Sequence, residues 1–320
     1  MKKYLFSLGI SAVVVLATIS GYSQQGEINK VPHGINDGGA GRENNQSPNF
    51  PNYATTTGGT SKVSAMRYNG GPLISTPTIY IIWYGNWNQA NNSDTAAGQQ
   101  LIRDWASGIG GTPYFRLNNS LSTGGYTITG NVNFTPTANE ITDTGTSKAL
   151  SDTDIQNIVA GNVGGVGKLP VDSSGVYFVI TSSDVNETSG FCTQYCGWHT
   201  HANISSLGNI RYAFVGNAQR CLSACAAQTT SPNHNPGVDA SISVLSHELE
   251  EATTDPDINA WLDARGSENA DKCAWTFGHY QYQSGGAWAN MSFGGHDWLI
   301  QRNILKSGSS FYCMVDSTHN

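Results

Sequence analysis

Residues 76 to 85 read Thr76-Pro77-Thr78-Ile79-Tyr80-Ile81-Ile82-Trp83-Tyr84-Gly85, a β-branched and aromatic run without a charged side chain. Such a run fits a strand buried on both faces, and a strand of that kind needs covering layers on both sides. It predicts a central strand. Gly175-Val176-Tyr177-Phe178-Val179-Ile180-Thr181 and Arg211-Tyr212-Ala213-Phe214-Val215-Gly216 read as further strands, and Tyr126 to Phe134 alternates as a half-buried strand does. Between these runs, Asp94 to Ile109 carries Ala97, Leu101, Ile102 and Trp105 at helical spacing, and Ser151-Asp152-Thr153-Asp154 caps a second helix through Ile155, Ile158 and Val159. Strands alternating with helices predict an α/β or α+β layer fold, a mixed β-sheet packed with helices.

The best helical pattern of the chain runs to Pro256 and contains Ser246-His247-Glu248-Leu249-Glu250-Glu251, a His-Glu-x-x-Glu sequence. At about 3.6 residues per turn, His247, Glu251 and Asp255 stack on one stripe, while Ile242, Leu245, Leu249 and Ala252 form a separate apolar stripe. One stripe is expected to face a core and the other to carry chemistry. Imidazole and carboxylate one turn apart suit zinc. Glu248 stands where zinc hydrolases with a His-Glu-x-x-His helix keep their general base. The second His of that motif is absent here, and Glu251 stands in its place. The segment is expected to be a zincin-like active helix, and the competing reading is an ordinary solvated acidic helix.

Met1-Lys2-Lys3, the apolar run through Leu16 and Ala17 and the small-residue exit Gly21-Tyr22-Ser23 have the pattern of a secretory signal peptide over residues 1–23. The protein is therefore expected to be secreted and extracellular, with no membrane anchor after signal cleavage. Residues 24–63, rich in Gly, Asn, Gln, Ser and Thr, hold too little apolar surface to offset the entropy of ordering. They read as a flexible leader, either a plain linker or a propeptide. Residues 64–320 read as one globular domain. The formal charge is −7, and it becomes more negative when Lys2 and Lys3 leave with the signal. Such a surface repels nucleic acid and anionic membranes, and no phosphate-binding loop or basic patch opposes that exclusion.

All six cysteines, Cys192, Cys196, Cys221, Cys225, Cys273 and Cys313, lie in the second half. Export places them where disulfides persist, which favours bridges over a thiolate zinc site. Local closure suggests Cys192 with Cys196 and Cys221 with Cys225, leaving Cys273 to bridge to Cys313.

Met66-Arg67-Tyr68-Asn69-Gly70-Gly71-Pro72 ahead of the Tyr80 to Trp87 run opens a longer pattern. It continues with Thr181-Ser182-Ser183-Asp184-Val185, Phe191-Cys192, Cys196-Gly197-x-His199, Gly216-Asn217 and Cys221-x-x-x-Cys225-Ala226. Together these resemble the EXORDIUM, or phosphate-induced protein 1, family over roughly residues 66 to 316. The resemblance implies the fold, export and disulfides. Plant members are secreted, cell-wall-associated proteins linked to growth by cell expansion, so wall polysaccharide joins extracellular peptide and protein as an expected partner. Most of those members carry an apolar, Ala-rich helix and Thr-Asn-Pro where this chain has the acidic helix and Thr254-Asp255-Pro256. The chain thus looks like a bacterial-type member with its metal site intact.

Gly266-Ser267-Glu268-Asn269-Ala270-Asp271-Lys272-Cys273 follows that helix. By similarity to zinc peptidases whose third ligand is a later Glu, Glu268 is expected to bind metal and Asp271 to hold the Nδ1 proton of His247. Asp255 and Asp271 are the substitute ligands, and a carboxylate-rich set keeps calcium as the alternative to zinc. His199 and His201 read as an exposed loop pair, with His199 a minor candidate for protonating a leaving group. Trp261, Tyr280, Tyr282, Trp288 and Trp298 either line a substrate cleft, where aromatics suit stacking on sugars, or simply cover the sheet. Two functions follow: a zinc-dependent hydrolase of the peptidase kind, or a non-catalytic extracellular or wall-associated binding protein with a structural metal or none.

Overall fold

The core is built on a six-stranded mixed sheet. Its strands are β1 (Val31–Gly34), β2 (Thr78–Tyr84), β3 (Glu140–Thr142), β4 (Gly175–Thr181), β5 (Tyr195–Ile204) and β6 (Gly208–Gly216). They lie in the order β1-β5-β6-β4-β2-β3. The four strands from β6 to β3 run parallel, and β5 is antiparallel to both β6 and β1. The computed structural model describes residues 31–34, 62–278 and 281–319. The signal segment 1–23 and Tyr280 therefore lie outside the described residues.

Four helices flank the sheet: α1 (Ala96–Gly108), α2 (Asp152–Asn162), the single turn α3 (Leu222–Cys225) and α4 (Pro236–Thr254). Their starts are written in the sequence. Thr95 accepts from the Gly98 amide, Ser151 and Asp154 form a reciprocal capping box, and Asn235 caps α4 with Pro236 at its first turn. Trp105 of α1 packs edge-on to Phe178 of β4 and donates to Ser246 of α4, so α1 and α4 share one sheet face. Tyr212 alternates to the other face and reaches Gln156 of α2. The result is an α+β fold with a mixed sheet, as the alternation of elements predicted.

Three departures have physical causes. The β2 run is fully covered but lies second from the edge, between β4 and the three-residue β3, and the central places go to β6 and β4. Tyr126 to Phe134 forms no strand, because Gly130 at φ 72° interrupts it, which leaves isolated bridges from Tyr126 to Thr123 and from Asn133 to Thr78. Part of the segment read as flexible leader is ordered. Val31–Gly34 supplies β1, and Lys62–Val63 pairs with Ser310–Met314 in a small sheet near the carboxyl end. The rest of that leader lies outside the described residues.

The cysteine pairing is corrected as well. The bridges are Cys192–Cys221, Cys196–Cys225 and Cys273–Cys313, so only the last matches local closure. Side chains one turn apart on a helix project side by side toward a neighbour rather than toward each other. Cys225 on α3 accordingly meets Cys196 on β5, and Cys221 just before α3 meets Cys192 just before that strand, with Cα–Cα distances of 5.5 and 5.7 Å. The two rungs pin α3 to the sheet edge beside α4. Thiol titration of the denatured, unreduced protein should find no free thiol, and non-reducing peptide maps should link Cys192 to Cys221. Each rung closes a loop worth about 3 to 4 kcal/mol, so the Cys196→Ser, Cys225→Ser double variant should melt well below the parent. A Cys192–Cys196 peptide would sink the assignment.

Candidate metal centre

Helix α4 ends where it must. Asp255 closes it, its Oδ1 accepting from the amides of Asn259 at 2.5 Å and Ala260 at 2.6 Å, and Pro256 cannot continue the ladder. That use holds Asp255 in the turn after the helix, and it belongs to neither of the ligand triads described below. The two-stripe reading of α4 changes too. Its second half is buried on every side, because the sheet lies against one flank and the Glu268–Cys273 and Gln301–Asn303 segments close over the other. The acidic residues divide accordingly. Glu250 turns to a polar nest, accepting from Asn118 and, at 2.6 Å, from Asn303. Glu248 and Glu251 face two histidines.

His247 Nε2 lies 3.0 Å from Glu251 Oε1 and 3.5 Å from Asp271 Oδ1. On the other side of Glu251, Oε2 is 3.6 Å from His199 Nε2, which is itself 2.9 Å from Glu268 Oε2. His247, Glu251 and Asp271 form one triad whose ligand atoms lie within 4.8 Å of one another, and His199, Glu248 and Glu251 form a second, so Glu251 is shared. Asp271 was expected at His247 Nδ1. It faces Nε2 instead, and the side chain of Gln301 meets Nδ1. Glu268 sits at the cluster through His199 rather than within either triad.

The histidine pair is not an exposed loop. Both residues lie on β5, two apart and hence on the one sheet face that looks at α4. His199 is buried against the cluster, and His201 meets Asn209 at 2.9 Å one rung further along. Gly197, two residues earlier on the same face, permits the approach: a Cβ there would lie 2.6 Å from Val244 Cγ1 and 3.2 Å from Glu248 Oε1. Among the aromatic candidates, Tyr280 lies outside the described residues, and Tyr282 and Trp288 are half-buried. Trp261 and Trp298 are buried, and Tyr282 donates to Asp297. Gln301 was invisible to sequence reasoning, since it sits in no motif, and Gly197 was read only within the Cys196-Gly197-x-His199 pattern, with no sign that it admits α4.

These groups are costly to bury as they stand. Both Glu248 oxygens, Glu251 Oε2, Glu268 Oε1, Asp271 Oδ1 and His199 Nδ1 are buried without a hydrogen-bond partner, and no Lys or Arg ion pair reaches the cluster among the described residues. A divalent cation would answer the unpaired oxygens and the excess negative charge together, and two imidazoles among them suit zinc better than calcium. Burial and then Asp271 push Glu251 up to about 7. Burial likewise holds Glu248 and Glu268 well above the carboxylate range. Burial pushes His199 down to about 3. It would do the same to His247, but Glu251, Asp271 and Glu248 outweigh it and hold that imidazole high.

A sign test follows for metal-free protein. A carboxyl raised by folding contributes stability present below its unfolded pKa and lost as pH rises through its folded one. For Glu251 that window runs from 4.5 to about 7, and Glu248 and Glu268 act in the same direction. His199 opposes them, its contribution present above 6.5 and lost toward about 3. His247, held high, loses its contribution as pH rises, as the three carboxyls do, and together they outweigh His199, so chelator-treated protein should melt lower at about pH 7 than at about pH 5. Added zinc should reverse the slope, because a metal takes deprotonated ligands. Melting curves across that range check it, and an unchanged slope would remove the metal.

The family model described as the phosphate-induced protein 1 conserved region matches residues 66–290, which hold five of the six strands of the sheet, α4 and the histidine-carboxylate cluster. Protein EXORDIUM-like 3 of Arabidopsis thaliana is 30% identical over 268 residues, 74% of this chain and 76% of the relative. Protein EXORDIUM-like 5 of the same plant is 32% identical over 230 residues, 63% of this chain and 61% of that relative. No solved structure gives a significant match. No described helix is long and apolar enough to cross a membrane, and the three disulfides are of the kind that persists in oxidising compartments. With a match that covers most of the chain and contains the histidine-carboxylate cluster, the chain belongs to the phosphate-induced protein 1 family.

Proposed function

We propose that the protein is a secreted, zinc-dependent hydrolase that cleaves peptides outside the cell. The observation that carries this reading is Glu248, a fully buried carboxylate with neither oxygen hydrogen-bonded, which belongs to the His199 triad and adjoins the His247-Glu251-Asp271 triad. A structural carboxylate in such a place would have partners. His247, Glu251 and Asp271 would hold the metal, with Gln301 at His247 Nδ1 fixing the ring. Zinc, when bound, supplies a Lewis acid that polarises the scissile carbonyl and lowers the pKa of water. Glu248 Oε1 or Oε2 takes the proton of the attacking water and returns it to the leaving nitrogen, with the raised proton affinity that its burial produces. His199 is neutral, held low by burial, so it positions Glu268 and lines the reaction space rather than donating a proton as imidazolium.

The complete burial of His199, His247, Glu248 and Glu251 favours a second reading. In it an extracellular or wall-associated binding protein keeps the same cluster around a structural ion. Elemental analysis of protein purified without added metal, followed by a mixed peptide library read by mass spectrometry, separates the two. Stoichiometric zinc with chelator-sensitive cleavage supports the hydrolase. Calcium, or a bound metal with polysaccharide binding and no cleavage by leader-trimmed protein, supports the second.

A further inference from the structure

Strand β5 carries His199, and among the described residues one strand lies outside it. That strand is β1, a four-residue piece from the segment before the globular domain, with Val31 opposite His199, Pro32 opposite Trp198 and His33 opposite Gly197. It also packs against α4. Resting on the hydrolase reading above, we infer that the outer edge of β5 is an acceptor for an extended polypeptide strand, and that the chain occupies it in cis with β1. The substrate class is then a peptide in extended form, and the leader is an autoinhibitory strand.

Several observations make β1 a removable occupant rather than a founding strand. Every other strand of the sheet lies at or after residue 78, whereas β1 precedes the globular domain in sequence. Its hold is short. Pro32 brings no amide hydrogen to the ladder, which suits an outermost strand, and the register slips between His33 and Gly34. All six cysteines lie beyond residue 191, so no covalent bond keeps β1 in place once the chain is cut between it and β2. Arg42 is the sole Lys or Arg between residues 31 and 61, a ready point for such a cut.

The neighbourhood of the edge fits a peptide. A bare sheet edge offers unpaired amides and carbonyls, and strand addition satisfies them without regard to side chains. Choice among peptides then falls to pockets beside the edge. One lies there: a cleft lined in part by Val244, Trp275, Phe277 and Leu299 and by Cys225, the residue bridged to Cys196 on β5. Val244 closes directly on Gly197, which β1 pairs through His33. The cleft is mostly apolar, so the favoured occupant carries an apolar side chain near the cut.

The test uses the full mature chain with a site-specific protease sequence inserted after Arg42, compared before and after cutting and removal of the released piece. A fluorescent peptide of residues 24 to 42 should bind the cut protein tighter than the uncut one by on the order of tenfold or more, because the tethered strand competes at high effective concentration. The same peptide N-methylated at Val31, His33 and Gly34 should not bind. Cutting should raise peptide turnover, and adding the leader peptide back should suppress it. Equal peptide binding before and after the cut, or binding of the N-methylated peptide, overturns the inference, as does a cut protein that unfolds because β1 was indispensable. The two readings fail separately. Leader binding without any cleavage retains the edge and discards the hydrolase, whereas equal cleavage by cut and uncut protein retains the hydrolase and discards the edge.

Discussion

Replacing Glu248 by Gln should lower peptide hydrolysis by about two to four orders of magnitude, the usual contribution of a positioned general base. The fold and the metal should survive. Gln keeps the shape of Glu, and the buried carboxylate that it removes makes no hydrogen bond whose loss would weaken the structure. The raised proton affinity of Glu248 comes first from burial and then from Glu251 and Asp271 against the opposing pull of His247. The neutral amide therefore relieves a desolvation cost and should leave metal-free protein as stable or more so. The measurement is turnover of a cleaved library peptide by wild-type and Glu248→Gln protein of equal metal content, beside their melting curves. Undiminished turnover would take the base away from Glu248. A large fall in melting temperature would make the residue structural.

The ligands should respond in the opposite pattern. His247→Ala and Glu251→Ala should each abolish stoichiometric zinc, and the loss of affinity should exceed the roughly 10- to 100-fold that an outer partner such as Gln301 contributes. Wild-type protein with zinc should then melt well above either variant, since binding to the native site alone adds to folding stability. Removing zinc should erase the difference. Glu251 makes the sharper case, because it stands in both triads and its carboxyl is raised to about 7. In chelator at neutral pH, Glu251→Gln should match or exceed the parent in stability, as a buried carboxylate without its cation is a burden. Full zinc occupancy in His247→Ala protein, read by elemental analysis, would exclude this cluster as the metal centre.

The local physics of the chain was legible residue by residue. Apolar β-branched and aromatic runs gave β2, β4 and, from Tyr212 onward, β6 without reference to neighbours, because a strand segment buried on both faces has little room for charged side chains. Ser151 marked a helix start through short-range hydrogen bonds, and Pro256 marked a stop. The spacing of His247, Glu248 and Glu251 followed from helical geometry alone, so half of the candidate centre could be read directly. Strand β5 escaped notice because Gly197, His199, Thr200 and His201 look like polar surface until a helix packs on them. Tertiary structure alone brought His199 and Glu268 together across 69 residues of sequence and set Gln301 on His247. It alone exchanged the partners of four cysteines, because which thiols meet depends on how α3 lies against β5 and not on how few residues separate them. The same reason placed β1 beside His199: strand addition is made by backbone amides and carbonyls, which every residue carries, and no side-chain pattern announces where such an edge will be filled.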